Sequence, residues 1–106
     1  MAISDHLEFG LDNQTIEKIV ALFRDIPEIN QAIVYGSRSK GCYKKGSDID
    51  IVLPGDELTL KILLRASQLL DDLLLPYTFD LSLYDQIENP DLLDPIRRLG
   101  KALYSR

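Results

Sequence analysis

Apolar and polar residues alternate along this chain with two distinct periods, and the switches between them outline its elements. From residue 13 to 26, Ile16, Ile19, Val20, Phe23 and Ile26 recur at steps of three and four, the period of an amphipathic helix. Asp12 or Asn13 can cap its start and Pro27 stops it. Residues 31–35, Gln31-Ala32-Ile33-Val34-Tyr35, form a short β-branched run bounded by Gly36, which predicts a buried strand. Residues 36–47 carry Gly36, Gly41 and Gly46 and predict a loop with room for one helical turn. A second strand is expected over 48–53, closed by Pro54-Gly55.

A long helix follows over 58–75, ended by Pro76, with Lys61, Arg65, Gln68 and Asp72 as its narrow polar stripe. Eleven of its 18 residues are apolar, an arc wider than one sheet face needs. Leu69, Leu73 and Leu74, or else Leu60, Leu63 and Leu64, are therefore expected at an exposed edge. Residues 77–83 alternate, with Phe79, Leu81 and Leu83 on one face and Thr78, Asp80 and Ser82 on the other: a third, half-buried strand. A last helix starts at Asn89 or Asp91 and ends near Leu99, with Gly100 expected as its C′ glycine. The expectation is an α+β fold, a small sheet of at least three strands backed by helices. The periodicity leaves strand direction open.

Composition narrows the class. At 106 residues the chain is expected to be one domain, 1–106. One cysteine, Cys42, excludes an internal disulfide and points to a reducing, cytoplasmic setting. The longest apolar runs fall short of the ~18–20 residues of a membrane span, and the first residues lack a signal-peptide pattern. A net charge of −5 argues against general nucleic-acid binding. His6, the one histidine, lies too near the N-terminus to be a strong catalytic candidate, and Cys42 has no second ligand for zinc. Arg97, Arg98, Lys101 and Arg106 make the C-terminus basic, which suits a helix end.

Three features carry the chemistry. In Tyr35-Gly36-Ser37-Arg38-Ser39-Lys40-Gly41, a strand empties into Gly-Ser, exposing backbone N–H groups that can cradle a phosphate beside Arg38 and Lys40. Taken alone it also fits a solvated basic turn. In Asp48-Ile49-Asp50, two-residue spacing on a strand sends both carboxylates from one face, roughly 7 Å apart. Like charges so placed repel, and a divalent cation such as Mg²⁺ would offset them; a wet edge strand or a helix cap is the alternative. Asp80 sits mid-strand on a polar face, as a solvated carboxylate would. Were its strand the neighbour of 48–53, Asp80 would join the pair in a two-metal site for phosphoryl displacement.

Gly36-Ser37, ten intervening residues, then Asp48-x-Asp50 with Ile49 and Ile51 flanking, resembles the signature of the polymerase-beta-like nucleotidyltransferase superfamily. The small members called minimal nucleotidyltransferases are the most similar, and Arg38 and Gly41 match their Gly-Ser-Arg-x-x-Gly form. The resemblance runs from about residue 31 to 83, and Asp80 fits the third acidic place. It implies the nucleotidyltransferase fold and transfer of a nucleoside monophosphate, AMP from ATP, with pyrophosphate leaving. Asp48, Asp50 and Asp80 would then be the catalytic and metal-binding residues for two Mg²⁺ ions. Gly36 and Ser37 would hold the triphosphate, with Arg38 and Lys40 beside it. It further implies an all-helical partner encoded by an adjacent gene, with this chain as the antitoxin that adds AMP to a toxin. Two rivals stand beside it: a binding module that neutralises a partner by contact alone, and a transferase acting on a small-molecule or nucleic-acid acceptor held by a partner subunit. A homodimer is left open.

Overall fold

A computed structural model of the chain describes residues 11–36 and 48–105. Helix α1 spans Asn13–Arg24 and strand β1 Gln31–Tyr35. Strand β2 spans Ile49–Leu53, helix α2 Leu60–Asp72 and strand β3 Phe79–Leu83. A 3₁₀ turn at Tyr84–Gln86 leads to helix α3, Pro90–Leu99, and to strand β4, Lys101–Ser105.

Side-chain caps fix the helix starts. Asp12 accepts from the Thr15 N–H at 2.8 Å, and Asn89 accepts from the Asp91 N–H at 2.9 Å, with Pro90 in the first turn where no N–H is needed. Thr59 caps α2 through the Ile62 N–H at 3.3 Å, so that helix begins two residues later than its apolar pattern suggests. It also ends earlier, at Asp72, because Leu74 takes φ 55°, a left-handed conformation that a leucine adopts at a cost of about 1–2 kcal/mol.

The sheet has four strands in the order β3-β2-β1-β4. β1 runs antiparallel to both β2 and β4, while β2 and β3 are parallel, which the crossover through α2 makes possible. The fold is thus α+β with a mixed sheet, as expected, and the strand after α3 is an addition. Gly100 corrects the expectation placed on it. Its φ of −63° and ψ of 140° are extended, so it is not a left-handed C′ residue but the step from α3 into β4. A side chain there would strike the Ile96 carbonyl at 2.5 Å and Ile33 Cγ2 at 2.7 Å, so glycine is needed for close approach.

One sheet face is the core. Ala32 and Val34 of β1 and Ile49, Ile51 and Leu53 of β2 are fully buried against Ile19 and Phe23 of α1 and Ala66 and Leu70 of α2. Phe23 stacks on Tyr104 of β4 at 6.3 Å between ring centroids. On the opposite face α3 covers the Ile33 half through Ile96 and Gly100, and among the described residues no helix packs on the other half.

Candidate active site

Strand pairing builds the half of that face away from α3. Tyr35 of β1 lies opposite Asp50 of β2, and Asp50 lies opposite Asp80 of β3, so the three side chains form one row across three strands. Asp48 stands two residues before Asp50, exposed, at the entrance to β2. The conditional expectation is therefore met: 48–53 and 77–83 contain neighbouring strands, and Asp80 is brought beside Asp50. β3 is an edge strand, which leaves Asp80 exposed to solvent.

Gly36 follows Tyr35 directly and takes φ +77°, a left-handed value open to glycine without penalty. A methyl carbon built on it would sit 2.6 Å from Asp50 Oδ2. The absent side chain is what lets the carboxylate lie against the end of β1. Of the residues expected to hold the triphosphate, Gly36 lies at the end of β1 beside Asp50; Ser37, Arg38 and Lys40 lie outside the described residues, as does the whole of 37–47.

The electrostatics follow the row. Partial burial pushes the Asp50 carboxyl above the usual carboxylate range, and the charges of Asp80 and then Asp48 push it further. Tyr35 is raised by its own half-burial; a hydrogen bond with Ser82 works the other way, and Asp50 and Asp80 add to the rise. Tyr35 and Ser82 are the residues that sequence reasoning passed over. Alternation places Ser82 on the polar face beside Asp80, and Tyr35 ends the strand before Gly36, but only pairing sets Tyr35 in the row of Asp50 and Asp80.

A cation fits this donor set. All the donors are carboxylate oxygens, and the repulsion felt at Asp50 is the kind a hard divalent ion offsets. Among the described residues no three acidic, histidine or cysteine side chains are grouped closely enough to hold a metal ion together, so Asp50 and Asp80 stand as paired neighbours with Asp48 at the entrance to β2. Chemically, a carboxylate row beside a glycine turn can take a proton from an incoming hydroxyl, and a cation held by it would supply polarisation of phosphate oxygens.

Comparison with known proteins gives the family and the fold's relatives. The family model described as Polymerase beta, Nucleotidyltransferase matches residues 17–106. No curated protein gives a significant match. Among solved structures, a toxin–antitoxin crystal structure with AMP-PNP superposes with a TM-score of 0.68 at 28% identity, covering 86% of this chain and 73% of the other. A mutant MntA–HpeT toxin–antitoxin structure gives 0.68 at 26% identity with the same coverage, 86% and 73%. A complex of tri-AMPylated Shewanella oneidensis HEPN toxin with MNT antitoxin gives 0.63 at 25% identity, covering 88% of this chain and 71% of that one.

Proposed function

The chain belongs to the polymerase beta nucleotidyltransferase family, and from that premise we propose that it transfers AMP from ATP to a hydroxyl of a partner protein, as the antitoxin of a toxin–antitoxin pair. The observation that carries the proposal is the row Asp50–Asp80 on paired parallel strands, with Gly36 lying under the Asp50 carboxylate. Similarity to a toxin–antitoxin structure with AMP-PNP, and to one with an AMPylated toxin, supports the choice of nucleotide and acceptor.

Asp48, Asp50 and Asp80 would hold two Mg²⁺ ions, which when bound neutralise the triphosphate and stabilise the attacking and leaving oxygens. Gly36, with Ser37 after it, receives the triphosphate at the end of β1, and Arg38 and Lys40 add positive charge to that loop. Asp80 lies on the edge strand, where an acceptor carried by another protein can reach it. Its carboxylate takes the proton of the acceptor hydroxyl as that oxygen bonds to the α-phosphorus and pyrophosphate leaves.

A separate acceptor protein is also supported by α2. Leu60 and Leu64 are 57% and 59% exposed and lie one turn apart, while Leu63, Leu69 and Leu73 pack against the core. Leu74, 88% exposed, lies beyond the helix end. The exposed edge thus draws on both leucine sets that the sequence offered. Replacing Leu60 and Leu64 by Glu is expected to abolish association with the partner while leaving nucleotide binding intact.

The deciding experiment incubates the chain with each NTP, Mg²⁺ and the product of the adjacent gene, then weighs both proteins intact. A gain of AMP on the partner, with ATP alone, is the expected result. Neutralisation of the partner with no gain in mass would replace transfer by contact.

A further inference from the structure

The two arginines near the end of α3 are held differently. Arg98 pairs with Asp94, one turn back on the helix, at 3.1 Å. Arg97 instead donates from Nε to the Tyr84 hydroxyl at 3.0 Å, a bond that ties α3 to the segment after β3. That bond uses one of the five N–H donors of a guanidinium. Arg97 and Tyr84 both line a cavity of about 360 Å³, toward the low end of the roughly 300–1,000 Å³ of ligand pockets. Ile33 of β1, Ile96 of α3, Ala102 of β4 and Pro54 after β2 give it apolar walls. Gly100 lines it too, at a point where a side chain would strike Ile33. The polar groups are the Gln31 amide, the Tyr84 hydroxyl and Arg97. All three can donate, one is a cation, and among the described residues no carboxylate lines the space. In a chain of net charge −5, this is a local reversal of sign.

We propose that this cavity is a binding site for a compact apolar carboxylate, with Arg97 taking the carboxylate and Ile33, Ile96 and Ala102 the apolar body. The planar fork of a guanidinium matches a carboxylate through two parallel hydrogen bonds. A phosphate monoester, with nearly two charges, would call for a second cation, and among the described residues none lines the cavity. The bond to Tyr84 holds the fork in advance, so less side-chain freedom is lost on binding. A free acid and a protein segment with a carboxylate beside an apolar side chain share this chemistry. The site uses none of Asp48, Asp50 and Asp80, and it stands whether or not the chain transfers AMP.

N-acetyl-leucine, titrated into the isotope-labelled whole chain and followed by nuclear magnetic resonance, tests it. Shifts are expected to centre on the amides of Gln31, Arg97, Gly100 and Ala102. Arg97→Gln is expected to weaken binding about tenfold, the order of a charge-assisted contact. Arg98→Gln, one residue along and outside the cavity, is expected to bind as the wild type does. Ala102→Leu fills the space from an exposed strand position and is expected to abolish binding in a folded protein. N-acetyl-leucinamide has the body without the charge, and acetate the charge without the body; each is expected to bind about tenfold more weakly. Equal binding of the acid and the amide overturns the proposal, as does wild-type affinity in Arg97→Gln. Shifts that are absent or spread over the whole chain at tens of millimolar acid overturn it too. The product of the adjacent gene separates the two sources. If saturating N-acetyl-leucine displaces that protein and Arg97→Gln weakens its binding, the ligand is a protein segment. If neither happens while the acid still binds, it is a free acid.

Discussion

Ile51 and Asp50 are adjacent on β2 and belong to opposite economies of the same sheet. Ile51 points into a face where every central position is apolar and two helices exclude water. Asp50 points into a face where α3 covers one half and three acids occupy the other. The first face holds the chain together and can take almost any well-fitting apolar set. The second gathers like charges, which disfavours folding, and such an arrangement is expected where a bound ligand offsets it. Stability and chemistry are thus separated by one peptide bond, through the two-residue period of a strand.

The sharpest way to break that separation is at Asp50. Asp50→Asn is expected to lower AMP transfer by at least about 10³-fold, with circular dichroism of a folded protein, and Asp48→Asn and Asp80→Asn comparably. Wild-type-like turnover in a folded Asp50→Asn protein would reject the two-metal reading. One residue along, Ile51→Ala is expected to cost about 2–5 kcal/mol in urea denaturation while the folded fraction keeps its transfer rate. If Ile51→Ala instead abolished transfer in fully folded protein, the two faces would not be independent.

Gly36 joins the two faces' concerns, so Gly36→Ala is expected to fail in both assays. The left-handed φ of +77° costs about 1–2 kcal/mol with a side chain present. Displacing the Asp50 carboxylate is expected to reduce transfer about 10²-fold, as a misplacement of the order of an ångström does.

The smallest effect is in pH. Burial first, then Asp80 and Asp48, raise the Asp50 carboxyl in the folded chain. As pH rises past the ordinary carboxylate value, the unfolded chain gives up this proton before the folded one does. Stability therefore falls through that window and stays lower above the raised value. Thermal melts in chelator between mild acid and neutrality should show this decline. Asp50→Asn should flatten it and raise the neutral-pH melting temperature by no more than about 4 °C, because water screens a half-exposed group. A lower melting temperature in Asp50→Asn would mean that the carboxylate supports the fold.

Local pattern was enough for the helices and for the first three strands, and it suggested the chemistry proposed for the site. Ile16, Ile19, Val20 and Phe23 encode a helix face wherever they are placed, and Pro27 and Pro76 end their segments by backbone sterics alone. Gly36 beside Ser37 and the Asp48-x-Asp50 spacing are likewise properties of a few consecutive residues. β4 escaped because an edge strand with a single buried residue, Tyr104, leaves almost no alternation to detect, and its basic residues fit a helix end equally well. Gly100 escaped because its extended conformation leads into β4, and its need for glycine comes both from the nearby Ile96 carbonyl and from Ile33, distant in sequence. What only the tertiary structure decided is which strands are neighbours, in which direction and in which register. These depend on hydrogen bonds between segments up to about seventy residues apart, and no window of sequence contains both partners. That pairing turned Asp80 from a solvated acid into the neighbour of Asp50, and set Tyr35 in the same row.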